Sequence, residues 1–176
     1  MLRKTIKNIA LLDLQNFTAE ALREIKKIES CAMLLVPKNA SDEWKNAYAK
    51  ITIRNVASII EVSYSKYSVL NGMVILNDKN VSDDCLYIVN GIIILETVEK
   101  IPDLCVNGLL LKRKKSRYEM TRMNGRSVEV EDNVVIKPYP NTIEIDGDTV
   151  RSFDYNTLVA AGNNVDIDND VTEQML

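Results

Sequence analysis

Val69-Leu70-Asn71-Gly72-Met73-Val74-Ile75-Leu76, Ile88-Val89-Asn90-Gly91-Ile92-Ile93-Ile94-Leu95 and Cys105-Val106-Asn107-Gly108-Leu109-Leu110-Leu111-Lys112 are three versions of one phrase. Each is an Asn-Gly pair followed by a short apolar run. The asparagines stand at positions 71, 90 and 107, a nearly even spacing. A fixed period near 20 marks a stack of similar units, each too small to bury its apolar face alone.

The phrase extends outward in both directions, mostly without its glycine. Aligned on the Asn or Ser position, the anchors are Asn8, Ser30, Asn55, Asn71, Asn90, Asn107 and Asn124. The first two intervals are the widest, and those from Asn55 onward are shorter. Two positions before the anchor stand Ile6, Ile28, Ile53, Val69, Ile88 and Cys105. Four positions after it stand Leu12, Leu34, Ile59, Ile75, Ile94, Leu111 and Val128. Residues at even offsets share one face of a strand, so both columns are expected to point into one core. The recurring amide at Asn8, Asn55, Asn71, Asn90, Asn107 and Asn124 predicts a ladder that satisfies backbone groups at a turn, repeat after repeat.

Between the early phrases the pattern turns helical. Phe17 to Ile28 has Thr18 as a cap and a stripe of Ala21, Leu22, Ile25 and Ile28, with Lys26 and Lys27 near its end. Ser41 to Ile51 has Ser41 as a cap, Asp42 and Glu43 in the first turn, and a stripe of Trp44, Ala47, Tyr48 and Ile51. The later repeats are too short for a strand of about six residues, two turns and a full helix. Extended or single-turn returns are expected at 77–84 and 97–104.

The expected fold is a β-rich repeat solenoid with one short parallel strand per repeat and helices in the N-terminal repeats. Residues 1–132 would form the repeat domain, with helix-containing repeats in 1–62 and short ones in 63–132. Residues 133–161 would be a cap or the final repeats, and 162–176 an acidic, flexible tail. The alternative is an antiparallel meander of β-hairpins with two N-terminal helices, because Asn-Gly is also the strongest short hairpin signal. Over about residues 6–130 the pattern resembles the leucine-rich-repeat-like and single-stranded β-helix solenoid proteins. That resemblance is one of repeat period and implies a fold.

Composition sets the outer bounds. Apolar residues make up 46% of the 176, enough for a sizeable core. Net charge is −3, but Glu129 to Leu176 holds eleven acids and two bases, a net of −9, which leaves +6 on residues 1–128. Cys31, Cys85 and Cys105 are odd in number and form no C-x-x-C pair; together with the absence of a secretory signal or long apolar span, this predicts a cytoplasmic protein.

The chain contains no histidine, so histidine-based nucleophilic catalysis and the commonest zinc ligand have no residue to use. Neither phosphate-cradling glycine motif occurs. Asp166-Ile167-Asp168-Asn169-Asp170 has alternate oxygens like a calcium loop, but Val171 stands where glycine is needed. Asp83 and Asp84 sit in a turn, where bonds to backbone account for them. The basic run Lys112, Arg113, Lys114, Lys115 and Arg117 is the candidate partner-binding patch, with a solvated loop as its plainer reading. Tyr118 is the single aromatic near it, which disfavours nucleic acid.

These features predict a non-catalytic protein-interaction module, with no catalytic, metal or cofactor residues assigned. Met73, Ile92 and Leu109 are candidate contacts if they face outward. A self-assembling scaffold is the alternative, and an enzyme ranks below both. The expected partner is another protein or a second copy.

Overall fold

A computed structural model describes residues 4–63 and 66–174. The chain divides into two compact units, Met1–Tyr64 and Ser65–Leu176. The division falls where the helix-bearing repeats give way to the short ones, and residues 133–174 belong with the second unit.

The first unit is a three-stranded sheet of β1 (Lys4–Asp13), β2 (Ile25–Pro37) and β3 (Thr52–Val62), paired in that order and parallel. Ile6 faces Ile28, which faces Ile53; Leu12 faces Leu34, which faces Ile59. The helices between them are α1 (Ala19–Arg23) and α2 (Asp42–Tyr48). Thr18 and Ser41 cap them, each accepting a backbone N–H at 3.2 Å. Both helices are shorter than their apolar stripes predict. Ile25 pairs with Lys4 in the sheet, so strand pairing claims Ile25, Lys26, Lys27 and Ile28 from the helical stripe. Leu22, Ile28, Leu34, Trp44 and Ala47 share one buried cluster. Trp44 donates its indole N–H to the Phe17 carbonyl at 3.0 Å and stacks on Tyr48.

The second unit begins with a four-stranded parallel sheet, β4 (Lys66–Asn77), β5 (Cys85–Glu96), β6 (Asp103–Arg113) and β7 (Glu119–Val130), in sequence order. Asn71, Asn90, Asn107 and Asn124 lie side by side, as do Gly72, Gly91, Gly108 and Gly125. Each described pairing in the chain is parallel, which overturns the hairpin alternative.

The Asn-Gly pairs therefore do not end strands. They bend long, continuous strands from within. Each repeat needs one residue with positive φ at the bend. In the first unit the anchor itself takes it: Asn8 at 58°, Ser30 at 54° and Asn55 at 52°. In the second unit the glycine after the anchor does so. Asn tolerates the left-handed region better than most residues, and glycine enters it without cost from a Cβ.

Glycine is required for a second reason. A Cβ on Gly91 would lie 2.2 Å from the Gly72 carbonyl oxygen; on Gly108 it would lie 2.0 Å from that of Gly91, and on Gly125 1.8 Å from that of Gly108. At Gly72 a Cβ would meet nothing within 4 Å.

In the first unit Ile28 and Leu34 join one cluster with Ile6, Leu12 and Ile53 packed against it, but Ile59 is 47% exposed, and Leu35 and Ile60 are buried outside that cluster. In the second, Val89, Ile93, Val106 and Leu110 are fully buried in one cluster. These are the positions one before and three after the anchor. Ile94 and Leu111, four after it, are buried in another cluster that includes Ala160 and is packed by Ile136 and Leu158. The central strands are thus apolar on both faces, as parallel strands usually are. Val69 (43% exposed), Ile75 and Val128 lie on the sheet's outer strands and stay open.

The chain continues as β8 (Val135–Tyr139), β9 (Ile143–Ile145), α3 (Gly147–Arg151), β10 (Thr157–Ala161) and β11 (Val165–Ile167). β10 pairs with β8 and β11 with β9, both parallel. Thr157 sits on Val135 and Val165 on Ile143, so both pairs share one sequence offset. A Cβ on Gly162 would lie 2.1 Å from the Pro140 carbonyl oxygen, the same close approach as before. Residues 162–176, expected as a free tail, are held through Ile167 by strand pairing, and the Asp168 N–H donates to the Ile145 carbonyl at 2.8 Å. Backbone pairing orders a segment whose acidic composition reads as solvated; 175–176 lie outside the described residues.

Gly108→Ala is expected to cost about 3 kcal/mol or more, from a Cβ against backbone and a Gly-only dihedral. Gly72→Ala meets only the dihedral strain, about 1–2 kcal/mol. Urea unfolding of both variants measures the difference; equal losses would show that the close approach contributes nothing.

Candidate functional site

The basic run is the first candidate, and its charges are largely answered within the chain. Lys112 Nζ lies 2.6 Å from Glu129, its register partner on β7. Lys114 and Lys115 lie 3.8 and 2.8 Å from Glu131 and Asp132. Each of these bases meets an acid one repeat further along the chain. Arg113 donates to Glu96 at 3.4 Å and to the Glu131 and Val134 carbonyls at 3.0 and 2.6 Å. The bond to Glu129 raises the Lys112 pKa and lowers that of Glu129; Asp132 raises that of Lys115. Arg117 is exposed. The run joins adjacent repeats, with the acids of 129–132 as its counterpart.

Met73, Ile92 and Leu109 do not form an outward ridge. They are half-buried and pack against the cluster of Ile94, Leu111, Val130 and Ala160, as Ile136 and Leu158 also do. Three of the anchors bond one another on the surface, Asn90 donating to Asn71 at 3.0 Å and Asn107 to Asn90 at 2.8 Å; these bonds run from amide to amide, whereas the expectation is of amides that satisfy backbone groups. Asn8 and Asn55 serve instead by backbone conformation.

Carboxylates of the 78–103 region bind backbone. Asp78 accepts from the N–H groups of Val98, Glu99 and Lys100 at 2.9–3.2 Å, filling a concavity of backbone donors in the next repeat. These bonds, that from Lys100 foremost, hold the Asp78 carboxyl below its usual pKa. Asp83 accepts from Ile101 N–H at 2.6 Å, and Asp84 bonds Ser82 and Lys66. Asp170, in the calcium-like stretch, accepts the Gly147 N–H at 3.0 Å. Among the described residues no group of three or more His, Cys, Asp or Glu side chains could hold a metal. Cys31, Cys85 and Cys105 are free thiols and buried; burial raises the thiol pKa of Cys85 and Cys105.

A second candidate lies at the C-terminal end. A recess of about 740 Å³ is lined by Ile145, Val150, Phe153, Val159, Val165 and Ile167, among others. Tyr155 is 94% exposed at its rim, and Ile167 54%. Lys137 sits over the Phe153 ring at 4.7 Å and steadies that wall. Residues 143–174 hold eight acids and one base. Sequence reasoning missed this site. Its signal was the alternation in Thr157–Ala161 and Val165-Asp166-Ile167, which follows similar stretches at Val135 and Ile143 by the same interval.

No protein-family model, curated protein or solved structure matches this chain. Among the described residues no helix is long and apolar enough to cross a membrane.

The Asp78 pKa is depressed in the fold, so its contribution is present above the usual carboxylate range and lost as pH falls through the folded value. Asp78→Ala should therefore lower the melting temperature at neutral pH, and the gap to the unaltered protein should shrink as pH drops below that range. A pH-independent gap would refute the assignment. Lys114→Glu with Lys115→Glu should lower the melting temperature by a few degrees at low salt and by less at high salt, since these pairs are exposed and screened. Calorimetry at two ionic strengths reads this.

Proposed function

We propose that the protein is a non-catalytic interaction module, that each unit is a short β-solenoid, and that a partner protein binds the end formed by α3, β10 and β11. The observation that carries this reading is the open apolar recess at that end, with Val165, Ile167 and Tyr155 exposed beside a cluster of carboxylates. Elsewhere in the second unit the central strands are covered on both faces and the lysines of 112–115 are paired. Exposed apolar groups rimmed by polar ones are characteristic of protein contact sites. A partner for this end presents aliphatic side chains with basic residues around them, so that the carboxylates are answered as the recess fills.

The self-assembling scaffold is the second reading, favoured by β10 and β11, which among the described residues each pair with a single strand. Under both readings the contact is made by surface complementarity, with no bond made or broken.

Ile167→Asp places a charge in the recess wall at an already exposed position and should spare the fold. Quantitative mass spectrometry of proteins captured from lysate should show a subset reduced at least about tenfold for Ile167→Asp. The same subset should be retained by the Lys114→Glu, Lys115→Glu variant. Identical captured sets for all three proteins would sink the assignment of the binding end.

A further inference from the structure

We propose that the occupant of the acidic end is the β1 edge of a second copy of this chain, so that copies associate head to tail. The proposal rests on the reading of that end as the interaction site and names its partner.

Three observations meet. The first is edge chemistry. Among the described residues β10 pairs with β8 alone and β11 with β9 alone, while β1 pairs with β2 alone. Each leaves a row of backbone N–H and C=O groups open on one side, and an added parallel strand is the structure that satisfies such a row.

The second is shape. The segment from Thr157 to Ile167 is two short strands bent at Gly162. β1 is a single strand of similar span, bent at Asn8, where φ is 58°. Within the chain such bent passes stack in parallel with their bends side by side. β1 also keeps apolar surface partly open: Ile9 is half-buried, and Ile6 and Leu12 pack against their own unit's core without being fully covered. Stacking would remove apolar surface from water on both sides of the contact.

The third is charge. β1 carries Lys4 and Lys7 on its exposed positions. Lys4 touches Glu24 at 3.9 Å with its side chain 77% exposed, a contact too loose to neutralise it. The opposing end carries Asp154, Asp166 and Asp168, all exposed, within a segment of eight acids and one base. Like ends repel and unlike ends attract, so the contact is heterologous: it repeats in one direction, growing chains of copies or closing into rings. Association driven this way is steered by charge and weakens with salt.

The test is the mass of the full-length protein by light scattering over a concentration series. At low ionic strength the mass should rise with concentration, and added salt should reverse the rise without any substitution. Lys4→Glu with Lys7→Glu should weaken association at least about tenfold, as should Asp166→Lys with Asp168→Lys. Mixing the two variants in equal amounts should restore it, since each altered end then meets a complementary one. A mass that stays monomeric at every concentration and low salt overturns the proposal, as does association that neither variant weakens. If Ile167→Asp loses captured proteins while the unaltered chain stays monomeric, the self-docking fails and the interaction module stands. If Ile167→Asp changes nothing and the chain stays monomeric, both fall.

Discussion

The contact between one glycine and the carbonyl of the glycine before it governs the second unit. With 2.0 Å between a hypothetical Cβ on Gly108 and the Gly91 oxygen, the backbones at the bend lie closer than any side chain permits. That closeness aligns Asn71, Asn90, Asn107 and Asn124 and keeps the apolar positions of neighbouring strands opposite one another. A one-position slip would put a Cβ into the carbonyl and turn each apolar side chain to the wrong face. Register is thus protected twice, by sterics at the bend and by burial along the strand.

Polar side chains follow the same spacing. Lys112 to Glu129, Lys114 to Glu131 and Lys115 to Asp132 are links between one repeat and the next. Asp78 performs a related task through backbone, filling a nest of N–H groups in the following repeat. Charges spaced by the strand-to-strand interval lie beside one another, so these pairs form although Lys114, Lys115 and Glu131 stay largely exposed. This is why a run of bases that stands out in the sequence is mostly occupied in the structure.

The two units solve the bend differently, and the core responds. Where the anchor itself has positive φ, as at Ser30, Ile28, Cys31 and Leu34 join one cluster with the helices. Where the following glycine takes that role, as at Gly91, Val89 and Ile93 fall together and Ile94 goes to the opposite face. The positions that meet in one cluster differ between the units, because side chains alternate along a strand and the positive-φ residue sits one place later in the second.

The recurring phrase, its spacings and the two capped helices are legible from local chemistry: an Asn or Gly for positive φ, a hydroxyl at a helix start, apolar residues at regular intervals. The sequence also placed the alternating columns, though not which one would be inside. Tertiary structure decided that the Asn-Gly pairs bend strands instead of joining hairpins, since only pairing between distant segments makes parallel from antiparallel. It decided where α1 ends, because Ile25 is needed opposite Lys4. It paired the basic run and packed Met73, Ile92 and Leu109 partly into the chain's own core. It turned the acidic end into β10 and β11, whose backbone groups find their partners on β8 and β9, a pairing that no local pattern of charge could reveal.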